Sequence, residues 1–66
     1  MTQQAKERER IAVTPPRYNT RPMRLWLKDQ ALSQDEWADL RWHDERDRHG
    51  SPMGVLTGVR KQGNPT

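Results

Sequence analysis

Residues 43–49 read His-Asp-Glu-Arg-Asp-Arg-His, and two imidazoles among three carboxylates are the raw material of a metal centre or a general acid–base pair. On a helix, Glu45 and His49 lie four apart and share a face, as do His43 and Asp47. His43 and His49 are six apart, about 240° around such a helix, so one ion cannot take both. The pattern favours a solvated face laced with Glu45–His49 and Asp44–Arg48 pairs, and no metal is expected. Nucleophilic catalysis needs an activated Ser, Thr, Cys or Lys beside a base, and no such constellation stands out. Gly50, Gly54 and Gly58 repeat every fourth residue, but no Gly-Lys-Ser/Thr follows to make a phosphate loop. No catalytic residue, no cofactor and no enzyme activity are expected.

The chemistry that remains is recognition. Three tryptophans in 66 residues is a high density, and arginine outnumbers lysine nine to three. Arginine suits bidentate contact with carboxylate or phosphate and stacking on aromatic rings. With residues 34–49 taken as a helix, Trp37 and Leu40 lie together while Trp42 sits about 140° away, on a second side. Trp42 then either lies over an arginine stem beside a small core of Trp26, Leu27, Trp37 and Leu40, or anchors an interface. The leading expectation is the interface: Trp42 with Leu25 or Leu32 in a partner's apolar groove, and Arg41 and Arg46 paired with its acidic residues. Met53, Val55 and Val59 belong to an alternating segment that could add a strand to a partner's sheet.

The charge is segregated along the chain. Residues 1–24 carry +4, residues 25–49 carry −3 and the tail +2. This supports an alternative in which Arg17, Tyr18, Arg21 and Arg24, with Arg60 and Lys61 as a second contact, lie along a nucleic acid. A recognition helix over 34–49 is disfavoured, because Asp35, Glu36 and Asp39 would face the phosphates. A second alternative is a homo-oligomeric structural element.

These side chains need elements to hold them. Residues 3–13 are rich in helix formers and Thr14 precedes proline, which suggests a short N-terminal helix. Residues 15–22, with three prolines, read as an extended arm. Residues 20–31 place Met23, Trp26, Leu27 and Ala31 at helical spacing, with Thr20 or Asn19 as cap and Pro22 in the first turn. Ser33 to Glu36 matches a capping box, and Gly50 supplies a left-handed stop, so a second helix is expected over 34–49. After Pro52 the apolar period changes to two, suggesting a strand over 53–59 with no evident partner in the chain. The expected fold is mainly α: a basic arm over 1–19, a two-helix hairpin over 20–49 and a Gly-rich basic tail over 50–66.

Size and composition limit what such a chain can do alone. Leu, Ile and Val number nine and Phe is absent, so the large aliphatic and phenyl side chains make up only 14% of the sequence. Cysteine is absent as well, which removes disulfide staples and thiolate zinc sites. The charged N-terminus lacks the apolar run of a signal peptide, so a cytoplasmic location is expected (the host-cell cytoplasm if the gene is viral), with no membrane contact. A small core suggests folding coupled to binding. The sequence is therefore read as a small interaction protein, a regulator, inhibitor or assembly factor acting on a larger protein machine. Reading frames of this size are common among phage-encoded regulators.

Overall fold

The computed structural model describes residues 7–61. The chain order is β1 (Arg8–Thr14), a 3-10 turn (Pro16–Tyr18), α1 (Arg21–Ser33), β2 (Trp37–Arg46) and β3 (Pro52–Arg60). The strands form one antiparallel sheet in the order β1-β3-β2, so the last strand is central and both of its edges are paired. Among the described residues one α-helix packs on this sheet, and the result is a mostly β fold in place of the expected mainly-α hairpin.

β3 organises the fold through its two faces. Leu56 is fully buried on the helix side, opposite Ala12 of β1 and Trp42 of β2. Around it gather Ala31 of α1, Trp37, and the half-buried Ile11, Ala12, Leu40 and Trp42. The glycines flanking Leu56 are needed for close approach. A Cβ on Gly58 would sit 2.8 Å from Leu40 Cδ2 and 2.9 Å from Ile11 Cδ1. The missing side chain lets those two residues meet over the strand. A Cβ on Gly54 would sit 2.7 Å from both Thr14 Oγ1 and Arg24 Nη2. Met53, Val55, Thr57 and Val59 alternate onto the opposite face.

Among the described residues no helix covers that second face, and charged side chains span it instead. Arg10 and Glu45 stand on the two outer strands, so their 3.4 Å ion pair must cross β3. The bridge runs from the level of Thr57 to that of Met53 and so passes over Val55, which is fully buried. Arg8 reaches Asp39 across the same face and donates to Thr57 Oγ1 at 3.2 Å. His43 Nε2 lies 2.8 Å from the same hydroxyl.

The expected second helix over 34–49 is a turn followed by β2. Ser33 Oγ donates back to the Gln30 carbonyl at 2.8 Å and caps nothing ahead of it. Asp35 adopts φ +53°, which ends helical geometry. Residues 47–50, Asp-Arg-His-Gly, form a hairpin turn: Gly50 N–H donates to the Asp47 carbonyl and Asp47 N–H to the Ser51 carbonyl. Asp47 Oδ1 accepts from the N–H groups of His49 and Ser51. Gly50, at φ +83°, is left-handed as expected, but it closes a β-hairpin and not a helix.

The expected N-terminal helix is likewise replaced, since residues 8–14 are β1 and residues 3–6 lie outside the described residues. Arg8, Glu9 and Arg10 are good helix formers, but intrinsic propensity is worth only tenths of a kcal/mol per residue and tertiary contacts override it. Each of these residues finds an ion partner across the sheet, and Ile11 and Ala12 find the core. The arm after β1 turns within Pro16–Tyr18 and is not extended throughout. The strand over 53–59 lies within β3 and has two partners in the chain where none was evident.

Candidate protein-binding surface

α1 is locally well specified. Thr20 Oγ1 accepts from Met23 N–H at 3.3 Å, Pro22 sits in the first turn where it removes no helical hydrogen bond, and the helix ends in a turn through Gln34 and Asp35. Its inner side carries half-buried Met23, Arg24 and Leu27, with Ala31 fully buried, and half-buried Lys28 stands at the boundary between the inner and outer sides. Its outer side is unusual for a helix on a small core. Leu25, Trp26 and Leu32 are 57%, 56% and 55% exposed.

Helical spacing sorts the outer residues into two rows. Arg21, Leu25, Lys28 and Leu32 follow one another at intervals of four, three and four, and Pro22, Trp26, Asp29 and Ser33 run alongside at the same intervals. The first row alternates cation and leucine. Trp26 was expected in the core with Leu27, but its row-mates are Pro22, Asp29 and Ser33. That polar company is the signal that would have placed it outside.

Arg24 is an internal residue. Its guanidinium stands 5.1 Å from the Trp42 ring, its Nε donates to Asn19 Oδ1 at 2.9 Å, and its terminal nitrogen pairs with Asp44 at 2.9 Å. Trp42 is thereby half-buried between the core and an arginine, the first of the two arrangements the sequence leaves open for it. Of the other residues expected to bind protein, Leu25 and Leu32 face outward on α1. Arg41 is exposed beside Asp39 at 3.1 Å, and Arg46 donates to the Gly50 carbonyl at 2.9 Å in the hairpin. Met53 and Val59 are half-buried and Val55 fully buried on the charged face of β3. Because β3 is paired on both edges, it has no edge to offer a partner. Among the described residues, the outer edges of the sheet belong to β1 and β2.

The residues expected at a nucleic acid divide in the same way. Arg17, Tyr18 and Arg21 are exposed around the 3-10 turn and the start of α1. Arg24 is occupied as described. Arg60 pairs with Glu9 at 3.1 Å and Glu36 at 2.9 Å while stacking 4.5 Å from the Trp37 ring, and Lys61 pairs with Asp35 at 2.6 Å. The segregated charge of the sequence is thus partly consumed within the fold, where Arg8, Arg10, Arg60 and Lys61 meet acids of residues 35–45.

These pairs leave their mark on titration. The hydrogen bond and charge of Lys61 hold the Asp35 carboxyl below its ordinary value. For Asp39, loss of water contact pushes upward, but the hydrogen bonds and charges of Arg41 and Arg8 together outweigh it and hold the carboxyl low. The hydrogen bond and charge of Glu9 raise Arg60 further above its ordinary value, with Glu36 adding to them. The expected Glu45–His49 and Asp44–Arg48 pairs are replaced by Arg10–Glu45 and Arg24–Asp44. Among the described residues, no three His, Cys, Asp or Glu side chains gather to hold a metal ion, and no helix is long and apolar enough to cross a membrane. Comparison with family models, with curated proteins and with solved structures finds no match.

Proposed function

We propose that this chain is a small non-enzymatic interaction protein, a regulator, inhibitor or assembly factor of a larger protein machine, and that it engages its partner with the outer face of α1. One observation carries this reading: Leu25, Trp26 and Leu32, each more than half exposed, share one side of the helix. Burying such side chains is worth about 1.5–3 kcal/mol each for the aliphatic ones, a gain the isolated fold forgoes and a partner's groove recovers. Aromatic and arginine-bearing surfaces of this kind are where binding energy concentrates. The contact is thus assigned to Trp26 on the outer side of α1 and not to Trp42, which lies under Arg24 on the sheet.

The test is a pull-down from lysate with tagged protein, with and without nuclease and at low and high salt, run beside the variant Leu25→Ala/Leu32→Ala. A protein partner that survives nuclease and salt and is lost with the variant supports the reading. The two truncations are expected to weaken binding by about 2 kcal/mol or more together, while each shifts stability by less than about 0.5 kcal/mol. Recovery of nucleic acid alone, lost at high salt, would instead favour contact through Arg17, Tyr18 and Arg21.

A further inference from the structure

The outer face of α1 carries charge as well as apolar surface. Arg8, Arg10, Arg24, Arg41, Arg60 and Lys61 all have carboxylate partners within the fold. The cations left without one among the described residues are Arg46 and Arg48 at the β2–β3 hairpin, and Arg17, Arg21 and Lys28 on or beside α1. Arg21 and Lys28 stand in the same row as Leu25 and Leu32, alternating with them over three turns. We infer that this row binds an acidic amphipathic helix of a partner protein, whose apolar side chains pack on Leu25, Trp26 and Leu32 and whose carboxylates pair with Arg21 and Lys28. The inference rests on the proposed interaction role and names the partner's chemistry.

Two other occupants fit less well. A second copy of α1 would bring Arg21 and Lys28 from each helix into one interface, with Asp29 of each as the only carboxylate in the outer rows. Like charge would then oppose contact. An anionic lipid surface would attract the cations, but Asp29 lies between Leu25 and Trp26 on the outer face, so inserting those side chains would carry a carboxylate into the interface. A protein partner can answer Asp29 with a single cation. The helix-in-groove mode also matches the spacing, since anchors at intervals of three and four residues lie along one side of each helix.

The inference is tested with a displayed library of random peptides selected against the full chain, against Leu25→Ala/Leu32→Ala and against Arg21→Glu/Lys28→Glu. The expected result is enrichment of peptides with net negative charge and apolar residues at helical spacing, lost with the leucine variant. A synthesised winner should bind the charge-reversed variant about tenfold or more weakly, and selection on that variant should turn toward basic peptides. Arg21→Gln/Lys28→Gln gives the same reading, with a smaller loss, should charge reversal unsettle the helix. Winners without an acidic excess, or unweakened by either charge variant, would overturn the acidic partner while leaving the interaction role intact, provided the leucine variant still abolishes binding. Enrichment indifferent to the leucines, or none over that variant, would overturn both. Sedimentation with phosphatidylserine vesicles that requires Leu25 and Leu32, and is absent with phosphatidylcholine alone, would assign the face to lipid instead.

Discussion

Truncating Arg24 to alanine separates a structural arginine from a surface one. Its side chain is 25% exposed and makes three contacts: the stack over Trp42 at 5.1 Å, the bond to Asn19 Oδ1 at 2.9 Å and the pair with Asp44 at 2.9 Å. The stack is worth about 0.5–1 kcal/mol for a half-covered ring, and the bond to Asn19 about 1 kcal/mol. The pair with Asp44, whose carboxylate is 87% exposed, adds little. Truncation is therefore expected to cost about 2 kcal/mol. That is a large fraction of what a chain of 66 residues holds, about 3–10 kcal/mol. Arg24→Lys keeps the charge but not the planar fork, and should recover only part of the loss. Urea unfolding followed by far-UV circular dichroism gives both values, and tryptophan emission should show the Trp42 ring becoming wetter in the alanine variant before unfolding begins. An alanine variant within about 0.3 kcal/mol of the parent would refute the internal role and return Arg24 to the exposed basic arm.

Other perturbations follow from the same geometry. Gly58→Ala brings a methyl within 3 Å of the Leu40 and Ile11 side-chain ends, which must swing aside, and should cost about 1 kcal/mol in denaturant unfolding; an unchanged midpoint would mean that the glycine is not needed for their close approach. Thr14→Val keeps the shape of a fully buried residue but removes the hydroxyl that accepts from Gly54 N–H at 3.1 Å and donates to Asn19 Oδ1 at 2.8 Å. A loss of about 1–3 kcal/mol is expected there, measured in the same way. Asp35 and Asp39 both titrate below the ordinary value of 3.8 in the folded chain, so their contribution to stability is complete above that value and lost as the pH falls through their folded values. Melting temperature should accordingly drop on acidification below about pH 4, and less steeply in Asp35→Asn; a melting temperature flat through this range would show that neither pair stabilises the fold.

How far such a chain can be read depends on where its specifying interactions lie. α1 was legible because its signals are local: a threonine cap, a proline in the first turn and apolar residues at helical spacing all act within a few residues. β3 was legible through its alternation, with Gly54, Leu56 and Gly58 on one side and Met53, Val55, Thr57 and Val59 on the other. β2 was misread as a helix for a definable reason. The register shifts between Ala38 and Arg41, so two residues of β2 stand where one of β3 does, and Trp37 comes to the same side as Leu40, three positions on. A bulge in a strand thus imitates helical spacing. The shift between Arg10 and Ala12 does the same in β1, where adjacent Ile11 and Ala12 both pack on the core. Asp47 to Gly50 carries the residues of a helix end and of a hairpin turn alike, since aspartate at the first position and glycine at the fourth also suit a tight turn.

The candidate surface divides along the same line. Leu25 and Leu32 are exposed on a helix, and helical spacing alone turns them about 100–120° away from buried Ala31. What became of the arginines was decided by the sheet. Arg10 meets Glu45 only because β3, last in the chain, inserts between the first strand and the second, and Arg24 is occupied only because that sheet carries Trp42 and Asp44 beneath α1. Contacts between residues twenty to fifty positions apart have no periodic trace in the sequence; they exist once the strands have paired, and pairing decides which cations are spent inside the fold and which stay free on its surface.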